Sequence, residues 1–206
     1  MQIYVLQKSS FLLRGRASFL LPILGKNALV LLCERFHAAP LSVTDFRNGN
    51  FARETGAVIL YPEYPFLSTE TLCDVLKRRP PHAEWVGFPA GLILQNGTEP
   101  PVRMQADCGL RFASLSDYAP VIAEAKRISC RALQRSGVYI PEPESVAVDF
   151  SARVESGSVL LPHVRIGGSA RIGKNCRIGQ GCILKDCVIR DGAVIPPYSV
   201  VCDRGT

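Results

Sequence analysis

Residues 166–184 read IGGSARIGKNCRIGQGCIL, in which an aliphatic residue returns at every sixth position. A period of six matches neither the turn of an α-helix nor the alternation of an ordinary β-strand. It is typical of a parallel β-helix in which three hexapeptides complete one coil. The pattern therefore predicts a left-handed hexapeptide β-helix, with the aliphatic side chains filling its interior.

The same period extends in both directions from this stretch. The aliphatic series is Val148, Val154, Leu160, Ile166, Ile172, Ile178 and Leu184, followed after one five-residue step by Ile189, Ile195 and Val201. Small side chains stand four positions after most of them: Ala152, Ser158, Ala170, Cys176, Cys182, Ala193 and Ser199, with Val164 the bulkiest. At three hexapeptides a coil, residues 148–201 form about three coils. Ile172 and Ile178 are predicted to be fully buried.

The composition is that of a globular protein. The chain has 206 residues, of which 47% are hydrophobic and 20% charged, enough for one ordinary domain and a small one. No window has the roughly 18 apolar residues that a membrane span needs. Residues 1–8 lack the pattern of a signal peptide. We therefore expect a cytoplasmic protein without a membrane partner.

The eight cysteines and the net charge of +6 also limit the functional classes. The sequence contains no Cys-x-x-Cys, and its three histidines lack metal-ligand spacing, so free thiols in a reducing compartment are expected. The basic residues are dispersed, and those of the repeat fall at outward positions without interleaved aromatic residues. No nucleic-acid partner is expected. The outward arginines are Arg153, Arg165, Arg171 and Arg177.

The chain before the repeat has the pattern of a small α/β lobe. The continuous apolar run of residues 56–61 predicts a buried parallel strand, and Ser68 is a suitable N-cap for a helix from Thr69 to about Arg79. A further helix is predicted from Ser116 to Gly137. We accordingly divide the chain into a reduced α/β lobe (1–115), a connector helix (116–137) and the β-helix (138–206).

Two segments of the C-terminal half resemble one known family. Residues 178–189, IGQGCILKDCVI, and residues 197–201, PYSVV, are similar to the β-helix entry of the bifunctional UDP-N-acetylglucosamine pyrophosphorylase / glucosamine-1-phosphate N-acetyltransferase of the GlmU type. The resemblance covers about residues 115–201. It implies a nucleotidyltransferase-like lobe before the connector, where residues 21–26, LPILGK, are similar to the segment after the family's nucleotide loop. It also implies a homotrimer and a nucleotide-sugar ligand.

The lobe departs from the pattern of the resembled family. The glycine-rich loop that cradles a triphosphate falls on residues 7–11, QKSSF, which lack both glycines and the arginine. Ser18 stands in the place of the phosphate-binding lysine. The family's second Mg²⁺ ligand, an asparagine, aligns with Arg111, whose guanidinium would oppose Mg²⁺. The family's catalytic histidine lies in coils later than those of residues 148–201.

Three residues are the candidates for binding roles, and none is assigned a catalytic one. Lys8 and Lys26 could meet a phosphate. Glu63 lies where the resembled family holds Mg²⁺, beyond a strand end at which α/β sheets bind ligands. His163 is interpreted as a solvated turn residue. No cofactor is expected except Mg²⁺, should the nucleotidyltransferase site work.

The favoured hypothesis is a degenerate GlmU-like protein of the UDP-N-acetylglucosamine pathway that acts as a non-catalytic binding or assembly subunit. One alternative is an active UDP-sugar pyrophosphorylase with a phosphate site rebuilt from Lys8, Lys26 and Glu63. A second alternative is a hexapeptide-repeat acyltransferase with a shortened β-helix.

Overall fold

A computed structural model describes residues 2–7, 12–13, 16–17, 21–41, 57–95 and 98–203. The chain divides into two compact units. The first comprises Met1–Leu21 and Asn27–Tyr118, and the second comprises Pro22–Lys26 and Ala119–Thr206. We call the first unit the lobe. Within the second unit, residues 139–203 are called the repeat region.

A six-stranded mixed sheet organises the lobe. Its strands are β1 (Gln2–Leu6), β6 (Ala39–Leu41), β7 (Ala57–Leu60), β8 (Trp85–Phe88), β9 (Gly91–Leu94) and β10 (Val102–Arg103). Their spatial order is β10-β8-β9-β7-β1-β6. Strands β1, β6 and β7 are parallel, whereas β9 runs antiparallel to both of its neighbours. All four residues of β7 are buried, as expected for a central strand with a continuous apolar run.

Short paired segments lie outside this sheet. Strands β2 (Leu12–Leu13) and β3 (Arg16–Ala17) pair antiparallel. Strands β4 (Pro22–Ile23) and β5 (Lys26–Asn27) form a second two-stranded sheet. The two residues between β4 and β5, Leu24 and Gly25, both have positive φ, which is the geometry of a tight type I′ hairpin turn.

Two helices of the lobe begin at the side-chain caps that their sequences suggest. Helix α1 (Ala28–Phe36) starts after Asn27, whose side chain accepts a hydrogen bond from the Val30 amide. Helix α2 (Thr69–Arg78) starts after Ser68, whose hydroxyl accepts from the Thr71 amide. Such caps satisfy backbone donors that the first turn leaves free. The prediction of a helix capped by Ser68 is confirmed.

The core of the lobe lies against the sheet and the two helices. Its largest fully buried side chains include Leu32 from α1, Ile59 and Leu60 from β7, and Ile93 from β9. Leu72 and Val75 bury the inner face of α2. The apolar period of each helix therefore matches the face that it buries.

A long helix opens the second unit. After a short 3₁₀ turn at Leu115–Asp117, α3 runs from Tyr118 to Arg135 and buries Val121, Ala125, Ser129 and Cys130. The Ser129 hydroxyl donates to the carbonyl of Val148 at 2.8 Å. Gly137 follows with φ 90°, a left-handed conformation that suits glycine at a helix C-terminus. The hydrogen bond from Ser129 holds the helix against β11 (Ala147–Val148), the first strand of the repeat region.

The repeat region consists of ten short strands that return in turn to three parallel sheets. They are β11 (Ala147–Val148), β12 (Arg153–Val154), β13 (Val159–Leu160), β14 (Arg165–Gly167), β15 (Arg171–Ile172), β16 (Arg177–Ile178), β17 (Ile183–Lys185), β18 (Val188–Ile189), β19 (Val194–Ile195) and β20 (Val200–Cys202). The three sheets have the orders β11-β14-β17-β20, β12-β15-β18 and β13-β16-β19. The chain thus completes one coil with every third strand.

The register of these sheets follows the aliphatic series. Val148 pairs with Ile166 and Ile166 with Leu184, each three hexapeptides further along the chain. Ile172 and Ile178 are 1% and 0% exposed, so the prediction of their burial is confirmed. After the five-residue step, Ile172 pairs with Ile189, one residue short of three hexapeptides. One corner is therefore tightened without a shift of the inward residues.

The small positions lie at the corners between sheets. Cys176 and Cys182 are buried, and their thiols donate to the carbonyls of Arg190 and Pro196 at 3.1 and 3.0 Å. At the tightened corner the buried small residue is Cys187, two positions before Ile189. Its carbonyl accepts from the Arg171 amide, as that of Cys182 accepts from Arg165. All eight cysteines are free.

Membrane insertion finds no support in the helices of the described residues. None of them combines the length and the apolarity needed to cross a bilayer.

Candidate functional site

The candidate site lies beyond the end of β7 in the lobe. The chain leaves the strand at Tyr61, whose amide donates to the Ala90 carbonyl, and turns so that the Tyr64 amide donates back to Tyr61. Glu63 stands at the apex of this turn. Its carbonyl accepts from the Phe112 amide at 2.5 Å, which joins the turn to the segment that carries Arg111. Strand ends of α/β sheets are common ligand sites.

The segment before Phe112 is held in place from two sides. The carboxylate of Asp107 accepts from the Gly109 amide, and its carbonyl accepts from the Thr71 hydroxyl on α2. Gly109 has φ 75°, a conformation that costs glycine little. Phe112 is buried and its ring lies 5.8 Å from that of Tyr118. These contacts direct Arg111 toward the turn at Glu63.

Glu63 and Arg111 form an ion pair. The Arg111 Nε donates to Glu63 Oε2 at 2.8 Å, and Nη2 lies 2.7 Å from the same oxygen. The hydrogen bond and the charge of Glu63 raise the pKa of Arg111. The Glu63 side chain is only 15% exposed, whereas that of Arg111 is 59% exposed. One carboxylate oxygen is therefore already taken by a cation, and the guanidinium presents its outer edge to solvent.

Three other titratable groups near the ion pair have raised pKa values. Burial raises the pKa of the Tyr61 and Tyr64 phenols, and it also raises that of the Cys108 thiol. A buried thiol with a raised pKa is a poor nucleophile, since the thiolate is the reactive form. The surroundings of the ion pair thus offer hydroxyl donors and no activated nucleophile among these three groups.

The described part of the chain contains no group of three or more His, Cys, Asp or Glu side chains arranged to hold a metal ion. At Glu63 the potential metal ligand faces a guanidinium. Mg²⁺ requires several oxygen ligands in near-octahedral geometry. The residues present at this strand end do not fit such a site.

No described contact tests the other two predicted phosphate-binding residues, Lys8 and Lys26. Lys8 lies outside the described residues, as do Ser18 and residues 9–11. Lys26 lies in β5, half-buried and directly before the N-cap residue of α1. It belongs to the second unit, whereas Glu63 belongs to the lobe. The phosphate-binding roles of both lysines stay predictions.

His163 is exposed on a corner of the repeat region. Its φ is 62°, and its amide donates to the Ser145 hydroxyl at 3.1 Å. It occupies a left-handed turn position that glycine or asparagine takes at other corners, such as Gly181 and Asn175. Its interpretation as a solvated turn residue is confirmed.

The sequence did not reveal the contact between Glu63 and Arg111. Each of the two residues aligns separately with a metal ligand of the resembled family. The sequence does contain one indication of the contact. In the resembled family these two positions bind the same Mg²⁺, and in this chain they carry one acidic and one basic residue. Two such side chains meet if the strand end and the loop keep their relative places.

Two curated proteins match a segment of the chain. The bifunctional protein GlmU of an Anaeromyxobacter species (strain Fw109-5) is 40% identical over 84 residues, which are 39% of this chain and 17% of that protein. The bifunctional protein GlmU of Anaeromyxobacter dehalogenans (strain 2CP-C) is 31% identical over 86 residues, 40% of this chain and 18% of that protein. No family model matches the chain.

This chain resembles GlmU over a segment. The predicted resemblance to GlmU is thereby confirmed for a segment of the chain. The matched segment spans less than a fifth of either GlmU protein.

Proposed function

We propose that this chain is a degenerate relative of GlmU that serves the UDP-N-acetylglucosamine pathway as a non-catalytic binding or assembly subunit. The observation that carries the proposal is the ion pair between Glu63 and Arg111. It stands at the strand end where we expect the counterparts of the two Mg²⁺ ligands of the pyrophosphorylase.

The ion pair opposes metal-assisted chemistry for two reasons. Nε and Nη2 of Arg111 both approach Glu63 Oε2, so the lone pairs of that oxygen are used. The positive guanidinium also repels a divalent cation placed within a few ångströms, and this repulsion is weakly screened because Glu63 is mostly buried. Pyrophosphorylase chemistry needs a cation to neutralise charge on the transferring phosphate. Without it, turnover is lost.

The same arrangement is compatible with binding. A guanidinium has five N–H donors, and Arg111, whose side chain is 59% exposed, keeps donors that Glu63 does not use. An arginine can meet a diphosphate directly, with bidentate geometry. We therefore propose that Arg111 takes over part of the charge compensation that Mg²⁺ supplies in the resembled enzyme, and that the ligand is a nucleotide sugar.

For the second unit we propose a left-handed β-helix that assembles as a homotrimer. The parallel register of the three sheets and the inward aliphatic series support the β-helix. Exposed apolar side chains at paired outward positions of β17 and β20 support association, since they include Ile183 at 43% and Val200 at 66%. A closed trimer buries such side chains in cyclic symmetry.

An activity assay tests the functional proposal. The protein is incubated with UTP, N-acetylglucosamine-1-phosphate and Mg²⁺, and pyrophosphate release is measured beside a Glu63→Ala control. We expect equal, background release from both proteins. Release by the parent clearly above that of Glu63→Ala would contradict the proposal and favour the active pyrophosphorylase.

Thermal shift tests the binding half of the proposal. UDP-N-acetylglucosamine should raise the melting temperature without Mg²⁺, because a ligand of the folded state stabilises it by mass action. An Arg111→Ala variant should lose most of this shift. An equal shift in both proteins, or one that appears only with Mg²⁺, would contradict the role given to Arg111.

Light scattering tests the assembly. We expect three times the single-chain mass at low protein concentration, with further association as salt screens the outward arginines. A single-chain mass at every protein and salt concentration would contradict the trimer.

A further inference from the structure

A groove of about 600 Å³ runs across one face of the repeat region. It lies on the sheet of β12, β15 and β18, and its lining includes three arginines: Arg153, Arg171 and Arg190. Val188 adds an exposed apolar side chain at the same face. All of these residues belong to the second unit.

Two of the arginines are direct neighbours across the sheet. Arg153 and Arg171 are Cα partners in the parallel pair β12 and β15, and Arg171 is in turn the partner of Val188. Adjacent strands lie about 4.8 Å apart. Side chains at paired outward positions therefore leave the sheet side by side, and both guanidinium groups project over the same groove.

The outward arginines of the other two sheets have apolar partners instead. Arg177 stands between Val159 and Val194. Arg165 stands between Ala147 and Ile183. At these outward strand positions, two arginines are paired on the sheet that carries the groove, and arginines are paired with apolar residues on the other two sheets.

Such a pair is unfavourable when nothing compensates it, since like charges directly opposite each other destabilise a sheet. Neither Arg153 nor Arg171 makes an ion pair with a residue in the described part of the chain. Glu155 lines the groove without approaching either guanidinium closely enough to pair. The repulsion is thus left for an external anion to relieve.

Beside the two arginines, three neighbouring positions of the sheet differ in side-chain size. The positions after the inward aliphatic residues are Glu155, Gly173 and Arg190, so the middle position has no side chain. A Cβ on Gly173 would overlap the Oδ1 of Asp191, an oxygen that accepts from the Lys174 amide at 2.8 Å. The turn at Asp191 therefore requires glycine, and the missing side chain opens the groove beside Arg171.

We propose that this groove binds the phosphate group of a small organic phosphate. The paired guanidinium groups of Arg153 and Arg171 hold the phosphate oxygens, since arginine forks match phosphate bidentately. Val188 contacts the apolar part of the ligand. The groove shares no residue with the ion pair at Glu63, so its failure leaves the functional proposal for the lobe unaffected.

Calorimetric titration with inorganic phosphate and phenyl phosphate at low ionic strength tests the site. We expect phenyl phosphate to bind more tightly than inorganic phosphate, because it also covers Val188. Arg171→Ala and Arg153→Ala should each lower the affinity for phenyl phosphate by about tenfold or more, which is the factor expected from the loss of a charge-assisted hydrogen bond. Arg177→Ala is the matched control and should change the affinity less than about twofold.

Two results would overturn the proposal. The first is an equal loss of affinity in Arg171→Ala and Arg177→Ala, which would show a general effect of net charge. The second is no measurable binding of phenyl phosphate by the parent at about 10 mM, a concentration beyond the range of specific sites.

Two further measurements separate binding from folding. Two acidic residues line the groove, and the carboxylate of Asp191 already accepts a hydrogen bond from the Lys174 amide. Glu155→Gln removes the other negative charge, so it should raise the affinity for phenyl phosphate. Arg171→Ala relieves the like-charge contact, so without ligand its melting temperature should be no lower than that of the parent. Weaker binding by Glu155→Gln, or a lower melting temperature of unliganded Arg171→Ala, would contradict the proposal.

Discussion

The repeat region and the lobe build parallel β-structure in opposite ways. In the repeat region strands that are three apart in the chain pair with each other, so these contacts connect segments 17 or 18 residues apart. In the lobe, β1 pairs with β6 and β7, and β7 pairs with β9 in the reverse direction. A periodic sequence therefore specifies its own register, whereas the order of the lobe depends on contacts between unlike segments.

The two regions also differ in what their glycines do. In the repeat region glycine often occupies left-handed corners, such as Gly157 and Gly181. In the lobe, Gly91 begins β9, where the Ile59 carbonyl oxygen of β7 and the Phe88 ring leave no space for a side chain. Turn geometry thus favours glycine at positions 157 and 181, whereas close approach of a neighbouring carbonyl requires it at position 91.

The largest effect is expected from truncation of an inward aliphatic residue. Ile172→Ala should lower the free energy of unfolding by about 2–5 kcal/mol, because it leaves a cavity between coils that packing cannot close. Val194→Ala is the control, since Val194 is 68% exposed and its loss should cost less than about 0.5 kcal/mol. Chemical denaturation measures both. Equal costs for the two variants would contradict the assigned interior.

The corresponding test in the lobe uses Gly91. A Cβ at this position would overlap the Ile59 carbonyl oxygen, so Gly91→Ala should destabilise the protein by about 1–3 kcal/mol through displaced backbone. Gly87→Ala in the adjacent β8 is the milder control, because its Cβ would meet the ring of Trp85 at 3.2 Å and side chains give way more readily. If Gly87→Ala proved the more harmful, the pairing of β7 with β9 would be in doubt.

A smaller effect is expected at the cap of α2. Ser68→Ala removes the hydroxyl that accepts from the Thr71 amide at 2.9 Å, and it should cost about 0.5–2 kcal/mol. Ser68→Asp supplies another acceptor at the same place and should retain the stability. The comparison of the two melting curves isolates the cap. A Ser68→Asp protein as unstable as Ser68→Ala would exclude capping as the cause.

The smallest effect is expected at the tightened corner of the repeat region. The Ser169 amide donates to Asp186 Oδ1 at 2.8 Å, and this hydrogen bond lowers the pKa of the Asp186 carboxyl. A lowered folded-state pKa stabilises the fold above the unfolded value of about 3.9, and the stabilisation is lost as the pH falls through the folded value.

Asp186→Asn should therefore lose less melting temperature than the parent between pH 6 and about pH 3, since it has no carboxyl to protonate. Asparagine tolerates the left-handed backbone at this position, where φ is 50°. Parallel pH profiles for the two proteins would show that the hydrogen bond contributes nothing measurable.

The inward residues of the repeat were predictable because a fixed period leaves few alternatives. The buried strand at Ala57–Leu60 and the cap at Ser68 were predictable because a continuous apolar run and a capping hydroxyl are local signals. Cys187 was missed as a small corner residue, because the five-residue step moves it out of the position four after an aliphatic residue. Only the pairing of Ile172 with Ile189 shows that the corner is one residue shorter and that the inward residues stay aligned.

The strand order of the lobe and the candidate site were not predictable from local patterns. Nothing in the apolar run of β7 shows that β1 runs parallel to it and β9 antiparallel. Glu63 and Arg111 are far apart in sequence, and their contact depends on Gly109 and on the hydrogen bond from Phe112 to the turn. The arginine pair of the groove likewise required the register of β12 and β15.

Our functional proposal requires that Arg111 takes the place of a metal ion beside Glu63. Electron paramagnetic resonance of Mn²⁺ titrated into the protein tests it most directly, because bound and free Mn²⁺ give different signals. We predict free Mn²⁺ alone with the parent, and weak binding once Arg111→Asn removes the guanidinium and supplies an oxygen ligand. Stoichiometric Mn²⁺ binding by the parent that disappears in Glu63→Ala would contradict the claim.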